Sequence, residues 1–201
     1  MMNLSKIFPQ YELRDLIICI FAIALIFSFP NINNFFYYLA AVVMAFFFHE
    51  LAHRGVARRL GALALYRMWP MGLIIGVVFM FFRVKFVAPG AVIIYPFRFG
   101  RWKHKTADIR GGYLSDIEMG LIAFSGIAVN LILAILFRSV FISVDEWFVA
   151  QTGGLSIALL NAWLAFSNLI PFPPLDGSKI FKWKPWFWFL LIFTAVLLFI
   201  L

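Results

Sequence analysis

The sequence predicts an all-α polytopic membrane protein: about five transmembrane helices, with a short membrane-dipping β-hairpin or sheet between spans two and three. Three observations predict it. Hydrophobic residues make up 64% of the 201-residue chain and its mean hydropathy is +0.96, whereas soluble domains are roughly half apolar. Charged residues account for only 13%. The apolar residues are gathered into runs near the ~20 residues that a helix needs to cross a bilayer core. The length accommodates one compact bundle, so residues 1–201 read as a single membrane-embedded domain.

Span one is expected at about Leu13–Pro30. The preceding Met1–Gln10 is polar and carries Lys6, and no A-x-A-like cleavage site follows the Leu16–Phe29 run, so this span is expected to be retained. Cys19, the single cysteine, lies inside it and reads as a small residue facing lipid or core. Asn31–Asn34 makes a turn, and span two runs from about Phe35 to Leu60, with Gly61 placed to stop the helix. Leu63–Phe97 breaks the pattern. Met71–Phe82 is apolar but twelve residues long, too short to span as a helix, and suits a re-entrant segment. Val84–Phe97 is rich in β-branched and aromatic residues, which favours strands; for Leu63–Phe97 as a whole, two short helices are the alternative to a hairpin or small sheet. Open backbone at membrane depth must be covered by protein or line a cavity. Span three is expected at about Ile117–Phe137 and span four at about Leu155–Ile170, where Pro171, Pro173 and Pro174 end the helix. Span five runs from about Trp186 to Leu201, with Trp183, Trp186 and Trp188 as an interfacial belt.

The net charge is +8, and its placement explains it better than nucleic-acid binding does. With the N-terminus inside, Lys6, Arg14, Arg58, Arg59, Arg67, the basic 98–110 loop and Lys179–Lys184 all fall inside, while Arg138, Asp145 and Glu146 fall outside. This predicts a multi-pass cell-membrane protein with a cytosolic N-terminus and the bilayer as a partner; nucleic acid is not expected.

The chemistry is concentrated in Phe46–Arg54. His49-Glu50-Leu51-Ala52-His53 has the pattern H-E-x-x-H. Residues i and i+4 share one helix face, so both imidazoles reach one metal ion, and the glutamate beside them is placed as a general base. A short motif arises by chance in soluble proteins, but here it sits in an apolar helix, where ionisable groups need a functional reason. A catalytic zinc wants three protein ligands. Asp176 follows the inner end of span four, at the depth of His49 and His53, and is the candidate third ligand. His104, the third histidine, sits among basic residues and reads as a solvated loop residue.

These residues resemble the site-2 proteases, the intramembrane zinc metalloproteases of peptidase family M50, which pair H-E-x-x-H on one helix with L-D-G near the end of another. The longer pattern Asn168-Leu169-Ile170-Pro171-Phe172-Pro173-Pro174-Leu175-Asp176-Gly177 is similar to that family's N-x-x-P-x-P-x-L-D-G. The likeness covers spans two to four, a catalytic core of about 35–177. It implies that His49, His53 and Asp176 bind one Zn²⁺, that Glu50 activates water, and that Asn168 helps to hold the substrate or the oxyanion. Its G-P-x-x-N motif reads Gly126-Ile127-Ala128-Val129-Asn130 here, with Ile for Pro, and leaves Asn130 as either a substrate-binding or a helix-packing residue. The implied function is regulated intramembrane proteolysis: hydrolysis of transmembrane segments of membrane proteins. Competing readings are a membrane-embedded H-E-x-x-H peptidase with a glutamate as third ligand, and a non-catalytic membrane zinc-binding or scaffold protein. The intact Glu50 argues against the second, because a storage site needs no base.

Overall fold

The computed structural model describes residues 10–85, 89–98, 114–142 and 154–200. The expectations for Met1–Pro9, for the basic loop with His104 and for the loop carrying Asp145 and Glu146 lie outside the described residues.

Helix α1 spans Gln10–Ser28. Helices α2 (Phe35–Val42) and α3 (Phe48–Arg59) follow as one continuous rod, joined by a π-helical turn at Val43–Phe47. That turn is absent from the sequence expectation of a uniform span two. Single π turns recur at functional sites, and this one immediately precedes His49. Gly61 ends the rod at φ 77°, and its N–H bonds the Arg58 carbonyl, the left-handed stop that the sequence predicts.

The 63–97 region forms the expected small sheet, with one helix and not two short helices. Strand β1 (Ala62–Met68) pairs antiparallel with β2 (Gly90–Arg98), with Leu65 opposite Ile93 and Met68 opposite Gly90. Helix α4 (Pro70–Phe81) lies between the two strands. Its far end packs against the end of α1: Phe81 meets the Phe29 ring, and Lys85 Nζ donates to the carbonyls of Ile26, Phe27 and Phe29. A lysine on the last carbonyls of a helix satisfies acceptors that have no intrahelical partner. The segment thus runs back along α1.

Helix α5 (Asp116–Ile142), α6 (Gly154–Asn168), the short α7 (Asp176–Trp183) and α8 (Pro185–Ile200) complete the fold. Helix α7 has no counterpart in the sequence reading, which has the prolines end span four and gives no element between it and span five. Two helical stretches, Ile32–Arg59 and Asp116–Ser139, are long and apolar enough to cross a membrane by length and composition. Large apolar side chains on α8 stay exposed, among them Trp186, Phe189, Phe193 and Ile200, as do Ile132 and Ile135 on α5. Trp188 departs from the expected interfacial belt. It is buried, and its indole N–H donates to the Leu169 carbonyl at 2.6 Å, tying α8 to the end of α6.

The apolar core lies in three clusters: one among α1, α2, α4 and α6, one joining α5 through α8, and one seating β1 on α3 and α5. A buried polar seam crosses the first. The Glu12 carboxylate accepts from the Arg54 guanidinium and, at 2.8 Å, from the Tyr66 N–H, while Asp15 accepts the Met68 N–H at 3.4 Å. The outer edge of β1 is thus closed by α1 side chains. Both acids lie in the first two turns of α1 and are buried there. Removing one partner of a buried ion pair costs about 3–5 kcal/mol, whereas replacing both by apolar groups is often neutral. Glu12→Ala should therefore lower the melting temperature in detergent sharply, and Glu12→Leu with Arg54→Met should recover most of the loss. Equal melting of Glu12→Ala and the native chain would show that the seam is not a stabilising pair.

Candidate metal centre

Helix α3 delivers His49 and His53 one turn apart, with their rings edge to face. The turn 169–175 leaves the end of α6 and delivers Asp176 as the first residue of α7. Close approach makes this possible. A Cβ on Gly177 would stand 2.1 Å from the Leu169 carbonyl oxygen, so only glycine lets α7 start against the end of α6. All three side chains are buried, and their donor atoms converge: His53 Nε2 to His49 Nε2 2.9 Å, His53 Nε2 to Asp176 Oδ2 2.8 Å, His49 Nε2 to Asp176 Oδ2 3.2 Å.

The surrounding bonds fix which proton each ring carries. His53 Nδ1 lies 2.7 Å from the Ile122 carbonyl, which can only accept, so Nδ1 carries the proton. His49 Nδ1 lies 2.6 Å from Asn130 Oδ1. Asn130 Nδ2 donates to the Ala45 carbonyl at 3.1 Å and to Asn161 Oδ1 at 3.2 Å, so the Asn130 oxygen is the acceptor and His49 Nδ1 the donor. Asn161 is itself oriented by its bond to the Ile157 carbonyl at 2.8 Å. Both Nε2 atoms therefore present lone pairs to each other and to a carboxylate oxygen. Three lone-pair donors facing one point need a cation. The Lys179 ammonium, 3.0 Å from Asp176 Oδ1, favours the ionised carboxylate, the form a ligand needs.

The donor set fits zinc. Two imidazole nitrogens and a carboxylate oxygen are the ligand types of catalytic zinc, and bond lengths of 2.0–2.2 Å imply ligand separations of about 3.3 Å in a tetrahedron. The observed 2.8–3.2 Å is slightly contracted from that. The histidines also have the hydrogen-bonded outer partners usual for metal ligands. Glu50, buried beside His49, has one carboxylate oxygen, Oε2, with no hydrogen-bond partner among the described residues. An ionisable oxygen in that state is available to a reactant.

The structure brings His49, His53 and Asp176 together, with Glu50 buried next to His49 on α3, and it gives Asn130 a specific contact, the His49 ring. Ligand orientation and helix packing are one and the same bond there. Asn168 stands at the end of α6, where its amide donates to the Leu164 carbonyl at 3.0 Å. Sequence reasoning missed Asn161 and Lys179, and it assigned no role to Gly126. Asn161 had a signal: an asparagine inside an apolar helix, at a depth shared with Asn130. A Cβ at Gly126 would stand 2.5 Å from His53 Nε2 and 2.7 Å from His49 Cε1, so the α5 backbone at this glycine is one wall of the centre. Gly126→Ala should lower zinc affinity by roughly 10-fold or more, on the scale of other changes that disturb ligand orientation. Equilibrium competition with a chelator measures it, and unchanged affinity would mean that the wall gives way.

An H-E-x-x-H helix with an aspartate closing the triangle, set in a bundle of apolar helices, defines a metalloprotease type of centre. The chain is 39% identical over 184 residues, 90% of its length, to a Methanocaldococcus jannaschii protein named "Putative zinc metalloprotease MJ0611", of which the match covers 88%. The chain belongs to the family of that zinc metalloprotease. No family model matches the chain, and no solved structure does.

Proposed function

We propose that this protein is an intramembrane zinc metalloprotease of the site-2 type, cleaving transmembrane segments of membrane proteins. The observation that carries the reading is the convergence of the two Nε2 atoms and Asp176 Oδ2 next to Glu50, whose Oε2 has no hydrogen-bond partner among the described residues. His49, His53 and Asp176 hold Zn²⁺. Bound there, zinc brings the pKa of water toward ~7 and polarises a scissile carbonyl. Glu50 takes the proton of the attacking water and gives it to the leaving amine. Asn130 and the Ile122 carbonyl keep the imidazoles in the ligating tautomer throughout. Asn168, at the mouth of the turn that carries Asp176, is the candidate for holding the substrate backbone, with Asn130 as a second.

The five-span, N-inside arrangement is part of this proposal. It is supported by the two long apolar stretches, the exposed apolar faces of α5 and α8, and the charge bias. A helical substrate hides its carbonyls in its own hydrogen bonds and must unwind before hydrolysis. An unwound segment can add to a sheet edge. The outer edge of β1 is taken by Glu12 and Asp15, which leaves the outer edge of β2, unpaired by any strand among the described residues.

Reconstitution in liposomes with a single-span substrate carrying helix-destabilising residues tests the activity, with cleavage expected at the cytosolic side of the substrate's membrane segment. No cleavage despite bound zinc would favour the non-catalytic reading. Cysteine labelling in a Cys19-free background tests the orientation: position 103 should react only from the cytosolic side and position 148 only from outside. External reaction at 103 would overturn the map.

A further inference from the structure

The two oxygens of Asp176 are not equivalent. Oδ2 points at His49 and His53, and Oδ1 lies 3.0 Å from Lys179 Nζ, one helical turn along α7. The same ammonium reaches the Pro174 carbonyl at 3.3 Å, in the turn that introduces Asp176. Lys179 is mostly covered, with its side chain 19% exposed. Ile180, beside it, is fully buried and anchors α7 to the core. The lysine is thus seated between the metal ligand and the proline-rich turn, on a helix whose other face is fixed.

We infer that Lys179 is a positioning residue of the metal centre: it engages Asp176 Oδ1 so that the carboxylate offers the metal one oxygen only. A buried aspartate without such a partner can turn both oxygens to a metal. With Oδ1 engaged by a charged donor, that rotation costs a charge-assisted hydrogen bond. The contact to Pro174 ties the carboxylate's orientation to the turn that ends α6. The lysine touches no other donor atom of the triangle, so its effect reaches the reaction through Asp176. This inference rests on the zinc reading above.

The test uses the intact chain in detergent, loaded with Co²⁺ or Zn²⁺, and needs no substrate. Four-coordinate Co²⁺ absorbs visible light much more strongly than five-coordinate Co²⁺. Lys179→Met should weaken that absorption, as the second oxygen joins, and lower zinc affinity by about 10–100-fold, as loss of an outer-shell partner does. Lys179→Arg, which keeps a charged donor, should retain the native spectrum and most of the affinity. A Lys179→Met protein with native spectrum and native affinity would overturn the inference, leaving the lysine as an ordinary ion pair. Equal losses in the Met and Arg variants would also overturn it, since the shape of the site and not the donor would then be what matters. Failure of the native chain to bind either metal would instead remove the zinc reading itself.

Discussion

Glu50→Gln should leave a protein that folds, binds zinc and captures a transmembrane substrate, yet cleaves it roughly 10²–10⁴-fold more slowly, the usual contribution of a general base. The substitution keeps the size and shape of the side chain. It removes only the ability of the carboxylate to accept a proton at neutral pH. The structure explains why so small a change should be so costly. Glu50 Oε2 is buried and has no hydrogen-bond partner among the described residues, so its proton-accepting site is not engaged elsewhere. The metal ligands are held by other bonds, His49 by Asn130 and His53 by the Ile122 carbonyl, so the metal should be indifferent to residue 50. Zinc content by mass spectrometry and cleavage of a reconstituted substrate measure the two halves. Undiminished cleavage by the glutamine variant would sink the mechanism.

Asp176→Ala should strip the metal. A catalytic zinc has three protein ligands, and here one comes from the start of α7 while two come from α3. The native protein should carry about one zinc per chain by that logic. The alanine variant should lose nearly all of it on dialysis against a chelator, and activity with it. His49→Ala should do the same. Near-stoichiometric zinc persisting in Asp176→Ala would show that the third ligand lies elsewhere.

Much of this arrangement was legible in the sequence because its chemistry is local. The spacing of His49 and His53 is a helix property, and Gly61 marks the helix end by a backbone geometry that glycine tolerates best. Gly177 follows the aspartate because α7 starts against the Leu169 carbonyl. The apolar runs located the helices to within a few residues. What was not legible depends on which surfaces meet. Nothing local says that Asn130 faces His49, that Gly126 is a wall, or that Lys179 turns back onto Asp176; these follow from the packing of α5 and α7 on α3. Only the docking of β1 beside α1 makes Glu12 and Asp15 buried acceptors of strand amides. The π-helical turn at Val43–Phe47 leaves no mark in an unbroken apolar run.

The placement of Asp176 has one more consequence. His53 and Asp176 are more than 100 residues apart in sequence, yet their donor atoms are 2.8 Å apart. An ion shared between them is a clasp that closes a long stretch of chain, and its grip depends on supply. At free metal 100-fold above the dissociation constant, such a clasp adds about 2.7 kcal/mol to the folded state. Scarcity of the ion would therefore loosen α7 from α3 as well as silence the chemistry, so that a starved copy of the protein is also the copy most open to quality-control degradation.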